Sequence, residues 1–207
     1  MSSKDSYQII KKTTEGFYKE KGSKFFGHAI PCDNESDAKE NINEFRKRNP
    51  NACHVCFAWR FGTDKTKYIE RFSDDGEPSN SAGKPIFGQI QSYDLTNILI
   101  AVVRIYGGTN LGVGGLMTAY KTAAKEALEK AEIFKEFVCD YFIVSFAYDL
   151  TGSTMGILRK GNGTIIEQGY EGSLATVTFK IKQSESDYLA SEFEKLPGFN
   201  IKHLKTE

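Results

Sequence analysis

The sequence predicts an α+β protein in two domains, residues 1–135 and 136–207. Three observations carry that expectation. Short strand-like runs and amphipathic helical runs are mixed along the whole chain. The stretch NILIAVVRIYGG is a continuous apolar run, the mark of a strand central in a sheet. After residue 136 the elements run β-α-β-β-α-β, an order for which about 70 residues suffice.

Taken in order, SYQIIKK, EGFYKEK and KFFGHAIPC are three β-rich runs that open the chain. NESDAKENINEFRKRN reads as a helix with Asn34 as N-cap and Asp37 in the first turn. Its apolar stripe is Ala38, Ile42 and Phe45, and Arg46, Lys47 and Arg48 suit its C-terminus. ACHVCFAWRFG and KYIERFS are strand-like, and GKPIFGQIQSY is a short helix with Pro85 in its first turn. Beyond the apolar strand, a glycine-rich turn leads into LMTAYKTAAKEALEKAEIF. There Leu116, Tyr120, Ala123, Ala127 and Ala131 mark one helical face, opposite a charged one. FKEFVCD, residues 134–140, joins the two units. The second unit reads as strand YFIVSFAY, helix LTGSTMGILRKGN, strands TIIEQGY and LATVTFKIK, helix ESDYLASEFEKLPG and strand NIKHLK. That is the order of a ferredoxin-like split βαβ domain.

Lys and Arg number 27 and Asp and Glu number 27, so the net charge is zero; residues 1–135 carry +3 and residues 136–207 carry −3. A whole-protein field that draws in nucleic acid is therefore absent, and only a local basic patch could serve. No apolar run approaches the roughly 20 residues that span a bilayer. The N-terminal stretch has no apolar core of signal-peptide length. Cys32, Cys53, Cys56 and Cys139 lack disulfide-scaffold spacing and are expected as free thiols in a reducing cytoplasm. The expectation is a cytoplasmic protein with no membrane partner and no cofactor.

RFSDDGEPSNSAGKP, residues 71–85, gathers Asp74, Asp75 and Glu77. Three carboxylates so close can bind Mg²⁺ or share a proton, leaving one as a general base. The same residues are also turn chemistry. Asp75-Gly76 is a turn dipeptide, Asp and Ser side chains satisfy nearby backbone N–H groups, and Pro85 starts a helix. Turn chemistry is the stronger reading, and no metal is expected, because no second carboxylate cluster has ligand spacing. YGGTNLGVGGLM, residues 106–117, lies between a strand and a helix, where free N–H groups and the helix dipole can face an anion. No Lys-Ser/Thr pair makes it a P-loop, and Gly112-Val113-Gly114 does not extend to the third glycine of a dinucleotide site. Close strand–helix packing accounts for these glycines equally well.

In CHVCFAWR, residues 53–60, Cys53 and Cys56 look like half a zinc site, but in a strand they point to opposite faces. Alternation puts His54, Cys56, Ala58 and Arg60 on one face. A Cys56–His54 nucleophile pair is the catalytic alternative to a packed thiol beside a hydrogen-bonded histidine. Arg104 interrupts the apolar strand, and a buried guanidinium is costly unless paired. The acidic loop holds the nearest unassigned carboxylates, so Arg104 is expected to pair with Asp74, Asp75 or Glu77.

At these residues the sequence resembles the IMPACT family, which includes the YigZ-like bacterial proteins. The resemblance rests on HVCFAWR, on FSDDGEPSNSAGKPI, and on VVRIYGGTNLGVGGL followed by Tyr120, and it covers most of residues 16–134. The C-terminal unit is similar to the last domain of elongation factor G in element order and position. The resemblance implies an N-terminal domain of the ribosomal-protein-S5 domain-2-like class and a ferredoxin-like C-terminal domain. It also implies a cytoplasmic protein tied to translation, with no settled activity for bacterial members. Eukaryotic members restrain a stress kinase of translation initiation by competing for its activating partner. Two departures stand out. Ile105 occupies a position that is often aromatic, and Asn110 and Thr118 replace basic residues, which thins the charge available for phosphate.

The resulting expectation is a non-enzymatic, translation-linked regulatory protein that binds RNA, the ribosome or a translation factor. Its cleft would be formed by His54, Arg60, Asp74, Asp75, Glu77, Ser79 and Arg104. Gly107, Gly108, Gly112, Gly114 and Gly115 would line the same cleft. Arg60 and the helix N-terminus would receive anionic groups. Lys121 and Lys125 would extend that contact, and Tyr141 or Phe179 on a C-terminal sheet would stack bases. The alternative is an enzyme acting on a small phosphorylated or peptide-like substrate. His54 or Glu77 would then be general acid/base, and the glycine turn would hold an oxyanion or phosphate. A protein–protein adaptor is a third reading.

Overall fold

Alternation along one strand organises the first unit. In β4 (His54–Phe61), Cys56 and Ala58 join one core, and Val55, Phe57, Trp59 and Phe61 join another. Both faces of this strand are therefore buried, which explains why its sequence reads as a near-continuous apolar run. The same holds for β6 (Ile98–Ile105), where Ile98, Ile100 and Val102 face one core and Leu99, Ala101 and Val103 the other. The computed structural model describes residues 5–207; the first four residues of the N-terminal stretch read for a leader lie outside it.

Five strands form the main sheet in the order β2-β3-β6-β4-β5, with β2 at Thr14–Glu20, β3 at Ser23–Pro31 and β5 at Ile69–Ser73. All neighbours in it run antiparallel. Helices α2 (Gly83–Ser92) and α3 (Gly112–Glu129) cover one face through Ile86, Ile90, Leu116, Tyr120, Ala123 and Ala127. The other face is covered by α1 (Glu35–Arg48) through Ala38 and Ile42, with Phe45 packed alongside. Asn34 caps α1 as expected, its Oδ1 accepting from the Asp37 N–H at 2.9 Å.

The opening run SYQIIKK is a strand, as read, and one expectation about the joining segment needs correction. The first strand, β1 (Ser6–Ile10), stays out of the main sheet and pairs with β7 (Ile133–Phe137) in a separate two-stranded sheet. Residues 134–140 are accordingly no plain connector. Lys11 ties the pair, reaching Glu136 at 2.7 Å and lying over the Phe134 ring.

The chain divides into two compact units, Tyr7–Glu136 and Phe137–Glu207, the second including Asp5 and Ser6. In the second unit β8 (Cys139–Phe146) is followed by a 3-10 turn at Tyr148–Leu150 and α4 (Thr151–Lys160). Then come β9 (Thr164–Glu171), β10 (Leu174–Lys182), α5 (Gln183–Glu194) and β11 (Phe199–Thr206). The sheet order is β11-β8-β10-β9, antiparallel throughout. Phe142, Val144, Phe146, Val177, Phe179 and Ile181 alternate inward and meet Leu158, Leu189 and Phe193 from the helices. This α+β architecture agrees with the sequence reading.

Candidate functional site

The acidic loop is first of all a fastening. Asp74 Oδ1 accepts from the N–H groups of Ala82 at 2.9 Å and Gly83 at 2.8 Å, and Oδ2 from Asn80 at 2.8 Å. Ala82 is the N-cap position of α2 and has no side chain to cap with, so a carboxylate eight residues upstream does it. Asp75 ties the loop to the sheet: its Oδ2 accepts from the Val55 N–H at 2.7 Å and its Oδ1 from Arg46 at 2.6 Å. Asp75 and Gly76 sit at φ 44° and 90°, the left-handed turn that the Asp-Gly dipeptide predicts.

Arg104 finds its partner in this loop, at Glu77. Arg104 Nη1 donates to Glu77 Oε1 at 2.5 Å, and both side chains are almost fully buried. The Tyr120 hydroxyl donates to the same oxygen at 2.7 Å. The guanidinium also packs against the rings of Phe25 and Tyr106, 5.5 and 5.4 Å from their centroids, while its Nε has no partner among the described residues. Cys56 completes the cluster, with its thiol on the Asp74 carbonyl at 3.1 Å. Burial pushes the thiol of Cys56 well up. Burial, with Cys56 and Glu77 close by, does the same to the phenol of Tyr120. Burial and the bond to the Asp74 carbonyl both favour the thiol of Cys56 over the thiolate, which argues against a nucleophilic role.

His54 sits directly across from Arg104 in the β4–β6 pairing. Its Nδ1 lies 2.7 Å from the Asp75 carbonyl oxygen. A carbonyl only accepts, so Nδ1 donates to it, and Nε2, 3.9 Å from Glu77 Oε1, is the nitrogen left for other partners. His54, Glu77, Arg104, Tyr106 and Asn110 line a cavity of about 470 Å³ together with the N-terminus of α3 at Gly112. Leu111 at the N-cap position of α3 has no group to cap with, and no side chain among the described residues accepts from the first-turn N–H groups. The cavity therefore joins first-turn N–H donors to His54 Nε2 beside a neutralised, buried ion pair. That arrangement can hydrogen-bond an anionic oxygen and hold or accept one proton at His54 Nε2.

The structure brings together His54, Glu77, Arg104 and Gly112, with Asp74 and Asp75 holding the loop behind them. It does not bring Arg60 there. Six residues along β4 at about 3.3 Å each put it about 20 Å from His54. Arg60 is buried, donates to Glu70 at 2.8 Å, and packs over Tyr68 and Phe87. Same-face alternation was legible, but distance along the face decides. Ser79 is exposed and accepts from the Asn80 side chain at 3.2 Å. Gly107 packs on Gly22 and Ser23, where a Cβ would stand 1.9 Å from the Gly22 carbonyl carbon, while Gly108, Gly114 and Gly115 lie outside the lining. Lys121 and Lys125 line a different groove, between α2 and α3. Phe179 is fully buried, an inward position of β10 stacked on Phe142, so it cannot stack a base; Tyr141 lies on the opposite sheet face under Lys205. Sequence reasoning missed Arg46, which reaches the loop from α1, and the exposed thiol of Cys53 at the cavity rim.

Fold and site together define a two-unit α+β protein with a polar cleft where a glycine-rich turn starts a helix beneath an acidic loop. The model of the Impact N-terminal domain matches residues 21–128. IMPACT family member YigZ of Escherichia coli (strain K12) is 32% identical over 151 residues, 73% of this chain and 74% of that protein. An IMPACT family member of Haemophilus influenzae is 30% identical over 192 residues, 92% of this chain and 93% of that one. A crystal structure of a hypothetical protein is similar with a TM-score of 0.68 at 25% identity, covering 97% of this chain and 98% of its own. The chain belongs to the IMPACT family.

Proposed function

We propose that this chain is a cytoplasmic, translation-linked regulatory protein whose N-terminal cleft binds a phosphate of RNA, free or in the ribosome. Family membership supports the link to translation. On the same reading the first unit is an S5 domain-2-like fold and the second a ferredoxin-like one, types common in ribosomal and nucleic-acid-binding proteins. The observation that carries the binding is the uncapped N-terminus of α3, opening onto the cavity beside His54 and Arg104. Free N–H groups and the helix dipole there favour an anion without needing a positive whole-molecule charge.

Co-sedimentation with ribosomes and total RNA across a salt series, with and without nuclease, tests this. Exposed Asn110 and Val113 flank the helix start, so Asn110→Glu with Val113→Glu places charge against the phosphate while sparing the core. Retention that falls with salt and drops about tenfold in this variant is expected. No retention at low salt, or retention indifferent to the variant, sinks the proposal.

A second reading, an enzyme for a small phosphorylated or peptide-like substrate, is favoured by the fixed tautomer of His54. It predicts turnover that His54→Gln abolishes in a screen of phosphorylated metabolites and peptides.

A further inference from the structure

The groove between α2 and α3 is distinct from the cleft, and its composition is of another kind. Pro85, Gly88, Tyr93 and Met117 contribute to its lining, with Lys84, Lys121 and Lys125 among them, and its volume is about 860 Å³. No carboxylate among the described residues lines it. Lys84 and Lys121 form no ion pair among the described residues, and Lys125 meets only Glu129, one turn away on its own helix at 3.1 Å. Such half-exposed pairs within one helix are weak and readily exchanged. A Cβ at Gly88 would meet nothing within 4 Å, so the α2 backbone is open to close approach. Met117 is 44% exposed, an unbranched, adaptable side chain presented to solvent.

We propose that this groove docks an acidic amphipathic helix of a partner protein. Met117, Lys121 and Lys125 follow one another at intervals of four residues on α3. Lys121 and Lys125 are thus about 6 Å apart along the helix axis, the spacing of carboxylates one turn apart on a facing helix. The ten residues of α2 give a groove about 15 Å long, room for two to three turns. Two helices side by side receive a third by laying its apolar stripe between them, and the lysines select a partner with acidic flanks. A nucleic-acid backbone fits less well, because aliphatic and proline surface offers phosphates nothing and the lysines are few. This docking does not depend on the cleft's reading.

The test uses the full chain and fluorescence anisotropy with three labelled probes. One is a 14-residue helical peptide with leucines on one face and glutamates flanking it; the second carries lysines in place of the glutamates; the third is oligouridine. The acidic peptide is expected to bind at least about tenfold tighter than the basic one and to weaken with salt. Lys84→Glu with Lys121→Glu should weaken it about tenfold or more, and Met117→Asp should weaken it as well. All these positions are exposed, and unchanged unfolding midpoints will establish that the variants fold. Ribosome and RNA retention through the cleft should survive the lysine reversals, which separates this proposal from the other. Equal binding of both peptides, indifference to the reversals, or no binding of the acidic peptide up to about 1 mM overturns it. Oligouridine that alone binds, and loses binding on lysine reversal, overturns it in favour of nucleic acid.

Discussion

At the scale of single residues, the pair Arg104–Glu77 sets the terms for its surroundings. Both charges are almost fully buried, so removing one strands the other without solvent. Glu77→Ala should therefore lower stability by about 3–5 kcal/mol in urea unfolding, while Arg104→Met with Glu77→Leu should cost far less than either single change. Equal losses for single and double variants would show that the pair is not the cause. The partner could be foreseen as one of three carboxylates, because an arginine in an apolar strand must find a counter-charge. Which of the three could not be foreseen. Asp74 is spent on backbone N–H groups of the loop and Asp75 on Val55 and Arg46, which leaves Glu77, and that allocation depends on where the loop folds back. Tyr120 was legible only as a member of a buried helical face; its hydroxyl's role on Glu77 belongs to tertiary contact.

At the scale of elements, the closeness of α3 to the sheet comes from small residues on both sides. A Cβ at Gly27 would stand 2.2 Å from the Ala123 carbonyl oxygen, and one at Gly16 would stand 2.4 Å from the Ala127 nitrogen. Backbone blocks backbone at both points, so neither contact can relax by turning a side chain. Gly27→Ala should cost about 1–3 kcal/mol through overpacking, whereas Gly88→Ala in open space within α2 should gain about 0.5–1 kcal/mol. Thermal and urea unfolding of the two variants checks this, and a neutral Gly27→Ala contradicts it. Helical period and strand alternation made nearly all the elements readable, since α3's apolar face and the two faces of β4 are local patterns. The exceptions are pairings between distant segments. β1 and β7 lie more than a hundred residues apart, and nothing in either run announces the other. Arg60 was misplaced for a related reason: alternation fixes the face of a strand but says nothing of which end holds the cleft.

At the scale of the whole molecule, Asp5 fastens the second unit from far along the chain. Its helix α5 begins after Lys182, which offers no side-chain cap. Asp5 supplies one from 179 positions away, its Oδ2 accepting from the Ser184 N–H at 2.7 Å, while its carbonyl accepts from Val138 at 2.8 Å. A carboxylate at a helix N-terminus satisfies an orphan donor and meets the positive end of the dipole. Asp5→Ala should then destabilise the second unit by about 1 kcal/mol, and Asp5→Asn, which keeps the acceptor, by less. Hydrogen exchange can assign the loss to its unit. Faster exchange is expected in the first turn of α5 and in β8, with the amides of β6 unchanged, because that strand belongs to the core of the other unit. If α5 exchanges as slowly without the carboxylate as with it, the contact is geometry without energetic weight. If β6 quickens equally, the two units unfold as one, and the assignment of Asp5 to the second unit fails as a statement about stability.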